Sequence, residues 1–198
     1  MNSIDLLGIA GSVSNPSNTR SAVEVALEAA EREFGITTGI IHLAEYEPEI
    51  ADGRKLNEYT GDTLTVMRHI INSKAFIIGT PVYRGSYSGV LKNLFDLIPR
   101  GKWQAPQAPL ENHPVGLIAT GGTDHHYLSV AQELGPILNF FGAIPVGSGA
   151  YGNSSQFENY QVSDSELKER LQNLGKATVE LSHAIDNSTY LTKLGVQF

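Results

Sequence analysis

The segment IDLLGIAGSVSNPSNTRSAVEVALEAAEREFG, residues 4–35, contains the pattern that decides the fold. It opens with a short apolar run, Ile4 to Ala10, which is typical of a buried strand. A loop of small polar residues follows from Gly11 to Ser17, and apolar residues then recur at helical spacing as far as Phe34. Gly35 stands where a helix end favours glycine. The segment therefore predicts a strand, a loop and a helix in that order.

The rest of the chain repeats this alternation of short apolar runs and helical patterns. Further strands are predicted at residues 36–43, 75–79, 115–119 and 144–149. Helices are predicted at residues 62–72, 88–98 and 124–141, and we expect Pro136 to kink the last of these. A final helix is predicted to open with the capping box Ser163-x-x-Glu166 and to end near Ile185.

The predicted order βαβαβαβαβα indicates an α/β fold with a parallel sheet covered by helices on both faces. At this length a five-stranded sheet of order 2-1-3-4-5 fits best, which is the flavodoxin-like three-layer sandwich. The sequence shows neither an internal repeat nor a linker, so residues 1–198 are expected to form a single domain. In this fold the ligand crevice lies at the carboxyl ends of the first and third strands.

Composition excludes several classes of function. The formal charge of −7 argues against binding nucleic acid or an anionic membrane, because both require a basic surface. The absence of cysteine excludes disulfides, thiolate zinc sites and cysteine nucleophiles, and the six histidines show no metal-ligand spacing, so no metal site is predicted. Without a membrane span or a signal-like start, a cytoplasmic location is expected.

The loop after the first strand is a candidate phosphate site. It precedes a helix, whose first N–H groups and positive dipole end face the loop. The side chains that add hydrogen-bond donors are Ser12, Ser14, Ser17, Asn18 and Thr19. A plain capped helix start explains the same residues equally well. The loop is not a Walker A motif, and Gly8 and Gly11 make only a poor dinucleotide fingerprint, with Glu45 a weak candidate for the ribose acid.

The loop after the third strand suits a flat heteroaromatic ring. Its candidate contacts are Pro81, Val82, Tyr83, Arg84 and Ser86. Proline fixes the backbone shape, the apolar groups offer a wall, and the arginine could meet a cofactor phosphate or an anionic substrate. The alternative is a rigid turn with solvent-facing aromatic side chains.

The loop after the fourth strand, Thr120-Gly121-Gly122, is a candidate for the edge of the same ring. Small residues allow a ring to approach main-chain N–H groups, which would favour negative charge on a reduced flavin. A tight turn without a ligand is the alternative. His125 and His126 follow directly, but adjacent residues on a helix do not face each other, so a shared metal site is not expected.

These three loops resemble those of the NAD(P)H-dependent FMN reductases. The similarity is carried by GSVSNPSNTR at residues 11–20, by GTPVYRGSYSGVLKNLFDLI at 79–98 and by ATGGTxxH at 119–126, and it spans roughly residues 4–143. The resemblance implies FMN at the three loops: its phosphate at Ser12, Ser17, Asn18 and Thr19, its ring at residues 81–84 and its pyrimidine edge at residues 120–122. Many relatives carry arginine where Ser14 stands, and Arg20 is a candidate to compensate.

The resemblance also implies an activity. Hydride passes from NADPH or NADH to FMN, and no protein nucleophile or acid–base residue is needed, so no catalytic residue is assigned. Relatives are usually homodimers or homotetramers in which a neighbouring subunit completes the flavin pocket. The similarity is nearest to the branch that supplies reduced flavin to sulfonate-type monooxygenases, and a quinone, an azo dye or a metal oxyanion is a further candidate acceptor.

Three other functions stay open at the level of sequence. A flavodoxin-type electron carrier would bind FMN without oxidising a nicotinamide. A Rossmann-type NAD dehydrogenase would use Gly8 and Gly11 and bind no flavin. A non-enzymatic binding module could share the fold, since fold does not determine function.

Overall fold

The computed structural model describes residues 3–101, 105–127 and 130–193. Its helices are α1 Asn18–Phe34, α2 Gly61–Ile71, α3 Gly89–Leu97, α4 Gly135–Phe141 and α5 Ser165–Asp186. Its strands are β1 Leu6–Ala10, β2 Thr38–His42, β3 Phe76–Pro81, β4 Pro114–Gly121, β5 Ile144–Pro145, β6 Ala150–Asn153, β7 Phe157–Glu158 and β8 Gln161–Val162. Within these ranges, no helix combines the length and the apolar character that crossing a bilayer would require.

The main sheet has the predicted parallel order, β2-β1-β3-β4-β5, with β6 also paired to β4. The flavodoxin-like α/β fold is therefore confirmed. The register aligns Ala10 of β1 with Gly79 of β3, and Thr80 of β3 with Ala119 of β4. Because the strands are parallel, the loops that follow β1, β3 and β4 emerge at the same edge of the sheet.

Side chains that alternate along the strands build two apolar layers, one on each face of the sheet. Leu7 and Ile9 of β1 face α2, α3 and α4, where they pack with Met67 and Leu94 among others. Leu6 and Ala10 face the opposite side, where α1 and α5 cover the sheet. The two helices touch at Gly175, where a Cβ would lie 2.0 Å from the carbonyl oxygen of Ala26. The outcome is a three-layer sandwich.

Helix α1 begins and ends as its sequence predicts. Ser17 is the N-cap, and its Oγ accepts a hydrogen bond from the backbone N–H of Arg20 at 3.2 Å. Gly35 ends the helix in a left-handed conformation, with φ of 62°, and its N–H bonds to the carbonyl oxygen of Glu31.

The prediction of a continuous fifth strand over residues 144–149 is wrong. Two short strands, β5 and β6, pair with β4 in its place, and a turn separates them. Gly147 and Gly149 lie in that turn with φ of 58° and 73°. Such positive φ values interrupt a strand, and the turn moves the chain onto the carboxyl-end half of β4.

The prediction of one kinked helix over residues 124–141 is also wrong. The chain forms a short 3₁₀ turn at Asp124–His126 and a π turn at Val130–Leu134, and α4 itself begins only at Gly135. Pro136 therefore lies in the first turn of α4. It has no N–H to donate back to the π turn that directly precedes α4.

The N-cap of α5 is Asp164, one residue later than the predicted Ser163. The Asp164 carboxylate accepts from the backbone N–H of Leu167 at 2.8 Å. Ser163 Oγ instead donates to the carbonyl oxygen of Gln156. A carboxylate at this position also gains from the positive end of the helix dipole.

Candidate active site

Hydrogen bonds tie the three candidate loops to one another. Ser88, the N-cap of α3, donates through its Oγ to the carbonyl oxygen of Gly11. The backbone N–H of Val82 donates to the carbonyl oxygen of Thr120 at 2.8 Å. The hydroxyls of Thr19 and Thr120 bond to each other at 2.6 Å, and both side chains are buried. The loops after β1, β3 and β4 therefore form one connected wall.

This wall encloses an open cavity of about 250 Å³ at the carboxyl edge of the sheet. All of the predicted site residues except Arg84 and Ser86 line it. The full lining is Ser12, Ser14, Pro16, Ser17, Asn18, Thr19, Pro81, Val82, Tyr83, Thr120, Gly121, Gly122, Ser154 and Tyr160. No residue of this described lining is charged. The cavity therefore offers hydroxyl and N–H donors at one end, small residues along one side and an apolar wall.

Arg84 and Ser86 belong to the turn that follows Tyr83. Arg84 is exposed and adopts a left-handed backbone conformation with φ of 54°. Ser86 Oγ donates to a carboxylate oxygen of Glu133 at 3.1 Å. Paired hydrogen bonds between the backbones of Tyr83 and Ser86 close the turn. Neither side chain lines the cavity, so a cofactor contact stays a prediction for both residues.

Two lining residues were missed by sequence reasoning because they come from a distant part of the chain. Ser154 follows β6, and its Oγ donates to the carbonyl oxygen of Gly122 at 3.1 Å. Tyr160 lies in the turn between β7 and β8, where both it and Asn159 have positive φ. Neither residue belongs to a motif that sequence reasoning could find. The hairpin that presents Tyr160 has strands of only two residues, which are too short to give a pattern.

Arg20 and Glu45, two weaker candidates, pair with each other beside the cavity. The Arg20 guanidinium bonds to Glu45 and, at 2.8 Å, to Glu24. Two carboxylates therefore already compensate its charge. Neither Arg20 nor Glu45 is in the cavity lining.

A second, larger cavity of about 450 Å³ lies next to the first loop. Its lining is mainly apolar and includes Val13, Ile50 and Val90, three exposed hydrophobic side chains. It has no cluster of donors like that of the strand-edge cavity. The smaller cavity is therefore the better candidate for an anionic ligand.

Comparison with known proteins decides the family. Residues 4–158 match the family model described as NADPH-dependent FMN reductase. The chain is 34% identical over 177 residues to the NAD(P)H-dependent FAD/FMN reductase of Geobacillus thermodenitrificans, covering 89% of this chain and 92% of that protein. This chain belongs to the NADPH-dependent FMN reductase family. Family membership confirms the predicted NAD(P)H:FMN oxidoreductase, with FMN and a nicotinamide as its cofactors.

Two further similarities agree with this assignment. The reductase is 30% identical to the FMN reductase (NADPH) of Pseudomonas aeruginosa over 167 residues, which cover 84% of this chain and 86% of that protein. A solved oxidoreductase from Corynebacterium diphtheriae superimposes with a TM-score of 0.72 at 22% identity, over 93% of this chain and 99% of that one. At that identity the structural likeness supports the fold alone.

Proposed function

We propose that the reductase binds FMN in the strand-edge cavity, with the phosphate at the loop after β1 and the ring against the loops after β3 and β4. One observation carries the proposal: three loops that hydrogen-bond to one another surround a cavity whose lining contains many donors and no charged group. A carboxylate in the lining would repel a phosphate, and the described lining has none. The residues present therefore fit the cofactor.

The phosphate end is assigned to Ser12, Ser14, Ser17, Asn18 and Thr19. The first two residues of α1, Asn18 and Thr19, add backbone N–H groups that no earlier turn of the helix can bond. The helix dipole also favours negative charge at this end. Since no lysine or arginine lines this part of the cavity, neutral donors and the dipole would hold the phosphate.

The ring end is assigned to Pro81, Val82, Tyr83, Thr120, Gly121 and Gly122. Pro81 and Val82 supply apolar contact, and the two glycines leave room for a ring edge. Ser154 and Tyr160 join the site from the far side of the cavity. The protein's contribution is to bind, orient and shield, and bound FMN supplies the group that accepts hydride from the nicotinamide.

A size series at Gly122 tests this placement. A Cβ at Gly122 would have no heavy atom within 4 Å, so a larger residue can be accommodated without disturbing the fold. We expect Gly122→Leu to fill the space beside the ring and to abolish FMN binding, while Gly122→Ala has an intermediate effect. Binding is followed by the absorbance of the flavin and by oxidation of NADPH and NADH, with melting temperatures as the control for folding.

Two results would contradict the proposal. Wild-type protein that neither binds FMN nor oxidises NADPH or NADH would end it. Gly122→Leu protein that binds FMN as tightly as the wild type would move the site elsewhere. A stable flavin complex with negligible nicotinamide oxidation would favour the electron-carrier alternative.

We also propose that the reductase is a homo-oligomer. We further propose that a flavin-dependent monooxygenase uses the reduced FMN that it produces. The strand-edge cavity is smaller than the roughly 300–1,000 Å³ typical of small-molecule sites, which supports a pocket completed by a second copy. The exposed side chains of Val13, Ile50 and Val90 supply an apolar surface beside it. Analytical ultracentrifugation gives the oligomeric state of the wild-type and Ile50→Asp proteins. A wild-type protein that sediments as a monomer would contradict this proposal. A single domain over residues 1–198 and a cytoplasmic location stay predictions.

A further inference from the structure

His42 is a fully buried polar side chain at the carboxyl end of β2, with 0% exposure. Its Nε2 lies 2.9 Å from Ser12 Oγ, and its Nδ1 lies 3.5 Å from a guanidinium nitrogen of Arg20. His42 is not part of the cavity lining, whereas its partner Ser12 is. Any influence on a ligand in the cavity must therefore pass through Ser12.

The Arg20 contact, at 3.5 Å, favours one tautomer of the neutral ring. A guanidinium nitrogen can only donate, so Nδ1 of His42 must be the acceptor. A neutral imidazole has one N–H, which must then be on Nε2. His42 therefore donates to Ser12 Oγ.

Ser12 and Ser17 continue this sequence of hydrogen bonds, each donating in the direction of the cavity. Ser12 Oγ lies 2.7 Å from Ser17 Oγ, and a hydroxyl that accepts from His42 can donate its own proton to Ser17. Ser17 Oγ also accepts the backbone N–H of Arg20. Both lone pairs of Ser17 Oγ are then used, and only its proton is left to donate. Within the described chain no acceptor takes that proton, and Ser17 lines the cavity.

We propose that His42 is a positioning residue that sets the direction of these hydrogen bonds, so that the Ser17 hydroxyl presents its proton to the FMN phosphate. Without the His42 donor, Ser12 Oγ could accept a hydrogen bond from Ser17, and the direction of the Ser12–Ser17 hydrogen bond would be reversed. Ser17 would then offer the phosphate a lone pair and repel it. This inference rests on the proposed function, because it requires the phosphate to lie at the loop after β1.

The surroundings of His42 keep this direction in neutral solution. The charged groups that face it are Arg20 and Glu24 of α1 and Glu45 after β2. Burial lowers the pKa of His42 below 6.5, and the Arg20 charge lowers it further, while Glu45 and Glu24 act in the opposite sense. The ring is therefore neutral at pH 7. A second proton, on Nδ1, would face the Arg20 guanidinium.

The test compares FMN with riboflavin, which lacks the phosphate, in binding titrations followed by quenching of flavin fluorescence. For His42→Leu we expect FMN affinity to fall about 10- to 100-fold, which corresponds to one hydrogen bond to a charged group. Riboflavin affinity should not change. His42→Gln should recover most of the loss, because its amide can donate to Ser12. His113→Leu, which removes a half-buried histidine with a buried Nδ1 at the amino edge of the sheet, is the matched control and should bind both flavins like the wild type.

The outcomes separate this inference from the proposed function. Wild-type protein that binds FMN and riboflavin equally would overturn the placement of the phosphate, and the role of His42 with it. Wild-type protein that prefers FMN, together with His42→Leu protein that keeps the same preference, would overturn only the role of His42. A ¹⁵N NMR spectrum of wild-type protein at pH 7 should show the His42 proton on Nε2, and a proton on Nδ1 would overturn the inference even if the leucine variant fails to fold.

Discussion

His42 is fully buried at the carboxyl edge of the sheet, whereas His113 is half-buried at its amino edge. His42 is the last residue of β2, and both of its ring nitrogens have hydrogen-bond partners. His113 precedes β4, stacks edge-on against Phe76, and its Nδ1 has no partner in the described part of the chain. A buried ring nitrogen therefore does not by itself connect a histidine to the cavity. What distinguishes His42 is a chain of partners that leads to a cavity.

The contrast extends to the two edges as a whole. The carboxyl edge carries interlocked hydroxyls, with Thr19, Thr120, Ser12 and Ser17 all buried. The amino edge is stabilised by a surface ion pair, Asp5 with Lys74, and by apolar packing. Substitutions at the carboxyl edge should therefore change both stability and flavin binding, whereas those at the amino edge should change stability alone.

Ser17→Ala should have the largest effect, because Ser17 Oγ loses its hydrogen bonds with Ser12 Oγ, with the Arg20 N–H and with the FMN phosphate. We expect FMN affinity to fall by about 1.5–3 kcal/mol, the range for a hydrogen bond to a charged group, and unfolding free energy to fall by about 1 kcal/mol through loss of the N-cap. Flavin titration and urea unfolding measure the two terms. Asp164→Ala removes the N-cap of α5 instead, and should lower stability without weakening FMN. Equal loss of FMN affinity in both variants would refute the distinction between the two caps.

Thr120→Val should be the next most damaging change. It leaves the buried Thr19 hydroxyl without its partner, at a cost of about 1–3 kcal/mol in unfolding free energy. The double variant Thr19→Val with Thr120→Val should recover part of that loss, since both polar groups are then gone. Chemical unfolding of the three variants gives the coupling. A double variant as unstable as the sum of the singles would show that the two hydroxyls do not interact.

His113→Leu should have a smaller effect of opposite sign. Replacing this half-buried ring, whose buried Nδ1 is unpaired, by an apolar side chain should raise the unfolding free energy by up to about 1 kcal/mol at pH 7. FMN affinity should stay unchanged, in contrast to His42→Leu. A clear loss of stability at pH 7 would mean that the hydrogen bond between the His113 ring and the backbone of Glu111 contributes more than the unpaired Nδ1 costs.

The same variant should also change the response to acid. Burial lowers the pKa of His113 below 6.5, so the unfolded chain binds more protons than the folded one as the pH falls below that value. His113 therefore destabilises the fold progressively in mild acid. The free energy of unfolding, measured from pH 8 to pH 5, should fall less steeply in His113→Leu than in the wild type. Parallel curves would contradict this expectation.

Asp5→Asn should have the smallest effect. Hydrogen bonds from Lys74 and from the backbone and side chain of Thr37 lower the pKa of Asp5 from 3.8 to about 2, so this carboxylate stabilises the fold above pH 4 and loses that contribution as the pH falls towards 2. The pair is solvent-exposed, which limits its value to less than about 1 kcal/mol. The free energies of unfolding of the wild type and Asp5→Asn should therefore differ near neutral pH and converge at pH 2. A constant difference over that range would exclude the ion pair as the cause.

Much of the fold could be predicted because its signals are local. The apolar run of β1, the stripe of α1 and the glycine at its end specify a strand and a helix without reference to the rest of the chain. The prediction of the fifth strand was wrong because residues 144–149 contain a turn in which two glycines have positive φ. Pro136 misled in the same way: the sequence shows a proline in a helical pattern but not where the helix begins.

The amino-acid sequence by itself determined the order of the strands and placed small polar residues after three of them. Only the tertiary structure decided which of those residues act together, because the deciding hydrogen bonds join residues far apart in the chain. Ser12 and His42 are 30 residues apart, and Thr19 and Thr120 are 101 apart. The direction of a hydrogen bond depends on all the partners around it, and those partners meet only when the sheet has formed.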